Sequence, residues 1–143
     1  MRPPCGTSAF DAIETELIGG RVLLTRARGY ATRLLVEQRF DQFRTELSGV
    51  AEPVWIVESL ELTGFEATTV AATARWYSAF KDRGGNHVIY VAALASVRMI
   101  GATLAFAVHA KLSNRATLSE AYEVAGLGAV DVRPSRYSLN PRG

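Results

Sequence analysis

Short apolar-polar runs at Ile13 to Leu17 and Arg21 to Ala27 flank Gly19-Gly20, a pair able to take the positive φ angles of a tight turn, and they predict an antiparallel ribbon at the start of the domain. The period then changes. Val36, Phe40, Phe43 and Leu47 recur at spacings of four, three and four, which is one stripe of a helix ending near Ser48-Gly49. Arg39, Asp41, Arg44 and Glu46 fill its other faces. Pro53 opens Val54-Trp55-Ile56-Val57, a nearly continuous apolar run of the kind that a strand covered on both sides requires. From Ala67 a second helix carries Val70, Thr73, Tyr77 and Phe80 inward, and it stops at Gly84-Gly85 after Lys81 and Arg83.

The stretch from Val88 to Val108 is long and apolar enough to raise the question of a membrane span, with Arg98 as its only charge. Its internal pattern answers it. His87-Val88-Ile89-Tyr90-Val91 is β-branched and aromatic text, whereas Val97, Ile100, Gly101, Leu104 and Val108 recur at helical spacing. A mid-membrane arginine would add roughly 2.5 to 3.5 kcal/mol, so a buried strand followed by a helix is the better reading. A last short strand around Ala116 to Leu118 and a closing helix over Ser119 to Val124 complete the domain. The order is β-β-α-β-α-β-α-β-α, an α/β domain with a small mixed sheet and helices mainly on one face, its later strands parallel because helices cross between them. Residues 11–126 form this domain, residues 1–10 are expected to be a flexible N-terminus, and 127–143 a Gly-, Pro- and Arg-containing disordered tail. The core is expected to contain Phe40, Phe43, Val54, Ile56, Val88, Val91, Leu104 and Val108.

Composition narrows the function classes. The 143 residues are 48% hydrophobic and 21% charged, enough for one ordinary core, and a net charge of +2 is too weak to imply nucleic acid or an anionic membrane. Cys5 is the only cysteine, so no internal disulfide forms, and with two histidines metal chemistry is poorly supplied. The first residues hold no apolar run of the secretory type, and a cytoplasmic location is expected. No Gly-rich phosphate loop, nucleophile relay or specific carboxylate pair stands out, since Glu58 and Glu61 are merely close in sequence. No enzyme activity, cofactor or metal is expected.

The element order, the text WIVESLELTGFEATTV from Trp55 to Val70, and the Val97-Arg98-Met99 opening of the third helix resemble the STAS or SpoIIAA-like fold over about Ala12 to Val124. Members of that family include anti-sigma factor antagonists and SEC14-like single-domain proteins. In the antagonist branch the third strand leads into a helix opening with Asp-Ser-Ser-Gly, whose first serine is phosphorylated. The corresponding positions here are Glu66, Ala67, Thr68 and Thr69, so alanine stands at the acceptor, and a shift of one residue brings in Thr68. Thr63-Gly64-Phe65 is closer to the SEC14-like branch. The resemblance implies a non-catalytic regulatory module that meets a protein partner, with small-ligand or lipid binding of the SEC14-like type as the alternative. A lipid would need a pocket of several hundred cubic ångströms, and a domain this short leaves little room for one.

Thr68 and Thr69 are the candidate phospho-acceptors, and Gly64, Phe65, Glu66, Arg98, Met99 and Phe106 the candidate partner-binding residues. Glu66 or either threonine could equally cap the second helix. Arg98 falls in the first turn of the third helix, where the dipole disfavours a cation. A carboxylate such as Glu58 or Glu66, a bound anion, or simple exposure with its stem on apolar surface would each accommodate it. Met99 and Phe106 lie opposite the inward stripe of the same helix, so they either form an association patch or are covered by the tail or the closing helix. The expected partner is therefore a protein or a second copy of the chain, with no nucleic acid and no membrane span.

Overall fold

A computed structural model describes residues 11–127. The expectations for residues 1–10 and for the tail from 128 onward lie outside the described residues. The elements follow the predicted order: β1 (Ala12–Ile18), β2 (Val22–Ala31), α1 (Arg33–Leu47), β3 (Val54–Phe65), α2 (Thr69–Asp82), β4 (His87–Ala92), α3 (Ala95–Ala107), β5 (Lys111–Asn114) and α4 (Leu118–Val124). They form one sheet in the order β1-β2-β3-β4-β5. β1 runs antiparallel to β2, and every later neighbour is parallel. Gly19 and Gly20, at φ 65° and 78°, make the turn between the ribbon strands, a conformation that a Cβ would strain.

Alternation along the central strands sends successive side chains to two separate cores. Leu23, Trp55, Val88 and Tyr90 face α1, α2 and α3, and pack with Leu35, Phe43, Trp76, Phe80 and Leu104. Val22, Leu24, Val54, Ile56, Ile89 and Val91 face the opposite way, where α4 covers them with Ala121, Tyr122 and Ala125. Leu127 also packs there, one residue past the expected boundary. The continuous apolar text of β3 and β4 is thus explained by cover on both faces. All the expected core residues are buried except Val108, which is half-buried at the end of α3.

α2, α3 and α4 end alike. In each, the second residue past the helix cap donates its N–H to a carbonyl in the last turn: Gly85 to Phe80, Ala110 to Ala105 and Leu127 to Tyr122. The residue before it is left-handed, and it is Gly84 at φ 85°, Gly126 at φ 88°, but His109 at φ 60° in α3.

Two expectations are corrected. The last strand is Lys111–Asn114 and not Ala116 to Leu118: Thr117 instead caps α4, its hydroxyl accepting from Glu120 N–H at 3.1 Å. A four-residue edge strand of sequence KLSN carries almost no apolar alternation, so only its ladder with β4 defines it. β3 also runs on to Phe65, well beyond Val57. Its continuation is paired to β2 through two register shifts, and because Leu60, Glu61 and Thr63 are exposed, nothing demands apolar side chains there.

Candidate functional site

The surface nominated by the sequence is built on α3 and on the loop that joins β3 to α2. Gly101 has no Cβ to hold α3 off the sheet: a Cβ would fall 2.4 Å from Cζ of Tyr90. The helix therefore lies directly on the Tyr90 ring, with Leu104 and Ala105 buried beside it. Ala95, Met99, Ala102 and Phe106 recur at spacings of four, three and four on the other side, and all are exposed. Met99 is 69% exposed and Phe106 79%. α4 packs on the opposite face of the sheet, so the closing helix is not their cover.

Arg98 is held by neither candidate carboxylate. Its Nη1 donates to the carbonyl oxygens of Ala92 at 2.8 Å and Ala93 at 3.4 Å, so chain polarity at the end of β4 stabilises the cation that the helix dipole disfavours. Glu58 is engaged elsewhere. Its Oε1 accepts from Arg26 Nε at 2.8 Å and its Oε2 from the Leu60 N–H at 2.8 Å, which also removes it from any carboxylate pair with the exposed Glu61. Tyr122 stands near Glu16, Arg26 and Glu58, and burial foremost pushes its hydroxyl up to about 12. Glu66 is a helix cap, but of a different helix from the one expected. Its Oε1 accepts the Arg33 N–H at 2.7 Å, satisfying a donor in the first turn of α1.

The two threonines separate cleanly. Thr69 is buried, and its hydroxyl donates to the Glu66 carbonyl at 2.7 Å. Thr68 is the exposed N-cap of α2, with no side-chain capping bond, so its hydroxyl is the accessible one. Gly64 lies against the Tyr30 ring, where a Cβ would come within 3.2 Å of Cε1. Phe65 is half-buried and lines an apolar cleft together with Val97 and Ile100 of α3, which brings the loop and the start of α3 to one place.

That cleft has a volume of about 120 Å³. It lies between the sheet and the α1–α3 layer, with Trp55 and Ser59 of β3 and Val70 and Trp76 of α2 in its walls and no charged side chain among the described residues that line it. Side chains as small as Ser59 and Ala31 in the sheet leave this gap, which the neighbouring aromatic rings do not fill and which is well below the several hundred cubic ångströms a lipid needs. Trp76 was missed as a core residue although it sits three residues after Thr73 and four before Phe80, on the stripe already recognised.

His87 gains a hydroxyl partner that its sequence neighbourhood did not announce. Its Nε2 lies 2.8 Å from Ser113 Oγ, contributed by β5. Burial, then Lys111 and Arg115, lowers the histidine pKa, which weakens it as a base, and no carboxylate is among those influences. Among the described residues no group of three or more His, Cys, Asp and Glu could hold a metal ion. Among the same residues no helix is long and apolar enough to cross a membrane.

No protein-family model matches the sequence, and no curated protein matches it significantly. Solved structures do match in fold. A Shewanella loihica PV-4 protein of the DUF3478 family with a SpoIIAA-like fold aligns with a TM-score of 0.64 at 15% identity, over 83% of this chain and 98% of that one. The anti-sigma factor antagonist SpoIIAA in its unphosphorylated form gives 0.61 at 17% identity, over 79% and 96%. The phosphorylated form of the Bacillus cell fate determinant SpoIIAA gives 0.58 at 15% identity, over 79% and 98%. The chain has the SpoIIAA-like fold.

Proposed function

We propose that this SpoIIAA-like domain is a non-catalytic regulatory module that binds a protein partner through the outer face of α3 and the adjoining Gly64 to Thr68 segment, the end of β3 and the loop after it. The observation that carries the reading is the exposure of Met99 and Phe106 on one stripe of a helix whose other side is already pressed onto Tyr90. Large apolar side chains of this kind, surrounded by small ones, are what anchor the centre of protein interfaces. The fold shared with an anti-sigma factor antagonist supports a regulatory role. A lipid-sized ligand is the weaker alternative, because about 120 Å³ is well below the several hundred cubic ångströms a lipid needs.

Within this reading Arg98 is a positioning residue that ties the start of α3 to the end of β4, and Thr68 is the place where a phosphate would alter the loop's charge. The test is a Met99→Glu, Phe106→Glu double variant, followed by circular dichroism, light scattering and co-purification from the native host. Normal folding with loss of the protein retained by wild type supports the interface, and loss of self-association in light scattering identifies that partner as a second copy. Normal folding with unchanged mass and unchanged co-purification removes it.

A further inference from the structure

We propose that the cleft between β3, α2 and α3 is a binding site for a small uncharged molecule of about one ring, carrying a hydrogen-bonding group that pairs with Ser59 and Trp76. Both residues line the cleft. Ser59 is 2% exposed and Trp76 3%, and the Ser59 Oγ and Trp76 Nε1 atoms are buried without a hydrogen-bond partner among the described residues. Leaving such groups unpaired is costly, and native proteins seldom do so without a reason.

The rest of the same wall shows that the chain can satisfy polar groups here. The other indole in the lining, Trp55, donates to Thr25 Oγ1 at 2.9 Å, and Thr25 bonds in turn to Thr15. The Tyr90 hydroxyl is bonded to Tyr77. Among the described residues two fully buried groups of the lining are left over, an indole donor and a hydroxyl that can donate or accept, and they describe a ligand with a hydroxyl or carbonyl oxygen. Size and charge narrow it further. A volume of about 120 Å³ is close to the engineered apolar cavity of about 150 Å³ that holds benzene. The described residues of the lining carry no charged side chain to compensate a buried carboxylate or ammonium, so the proposed occupant is neutral.

The probes are phenol, indole and benzene added to the full-length protein, followed by nuclear magnetic resonance of the indole N–H signals. The chain has two tryptophans, so Trp76→Phe assigns both signals. Phenol should shift the Trp76 N–H signal saturably. Ser59→Ala should weaken phenol about three- to ten-fold, the worth of one hydrogen bond, and leave benzene binding unchanged. The same variant should melt at or above the wild-type temperature, because it deletes an unpaired buried hydroxyl. That combination of higher stability with weaker phenol binding would not arise from a merely structural serine. Absence of a saturable shift with phenol and indole overturns the proposal. So does wild-type phenol affinity in Ser59→Ala, or a phenol-soaked crystal in which water alone occupies the Ser59 and Trp76 groups.

Discussion

Tyr77 and Tyr90 join α2 to β4 through a hydroxyl-hydroxyl hydrogen bond in the core, and their coupling can be worked out in advance. Both side chains are buried. Tyr77→Phe leaves the Tyr90 hydroxyl without its partner, and Tyr90→Phe does the same to Tyr77, so each single change should cost about 1 to 3 kcal/mol. The double change removes both hydroxyls and keeps both rings, which should cost less than about 1 kcal/mol. The expected signature is strong non-additivity, a coupling of about 3 kcal/mol, with each single variant melting roughly 5 °C lower and the double variant near wild type. Urea denaturation followed by circular dichroism at pH 7 reads it. Burial pushes the Tyr90 hydroxyl up to about 12 and Tyr77 well above the ordinary tyrosine value, so both are neutral there. Additive losses would refute the reasoning. A Tyr77→Phe cost near zero would mean that water from the cleft, which Tyr90 also lines, reaches the orphaned hydroxyl.

Further expectations concern single sites. His109→Gly should raise stability by about 0.5 to 1 kcal/mol in urea melts, since His109 occupies at φ 60° the left-handed position that glycine fills after α2 and α4. His87 is more easily deprotonated in the folded state than in the unfolded one, so its contribution is complete above pH 6.5 and is lost as pH falls from there toward its lowered folded value. His87→Gln should flatten that part of the stability-pH curve. Phosphoproteomics of the protein from its own host should find Thr68 modified substoichiometrically at most and Thr69 not at all, because the Thr69 hydroxyl is buried and already donating to Glu66.

Local periodicity carried the element order and the inward faces. The stripe Val36-Phe40-Phe43-Leu47 and the unbroken apolar runs of β3 and β4 report burial directly, since each side chain's environment is set by its own strand or helix. The two-sided apolar content of α3 was legible for the same reason, whereas the sequence left open whether Met99 and Phe106 are exposed or covered. What was not legible depends on residues far apart in sequence. Ser113 meets His87 across 26 positions, Arg26 meets Glu58 across 32, and Glu66 caps a helix that begins 33 positions earlier. Strand β5 is defined by its neighbour and not by its own KLSN text. The cleft is likewise a property of assembly: Ser59 and Trp76 share it only because β3 and α2 pack together, although a small polar residue in a buried strand was a signal that could have been read.

The partner-binding claim for α3 is tested most directly by placing a photo-reactive phenylalanine analogue at Phe106 and, as a control, at Glu123, which is exposed on α4 across the sheet. Irradiation in the native host followed by mass spectrometry should give a discrete protein adduct from position 106 and none from 123. Equal adducts from both positions, or none from 106 while the protein is folded, would contradict binding through this face.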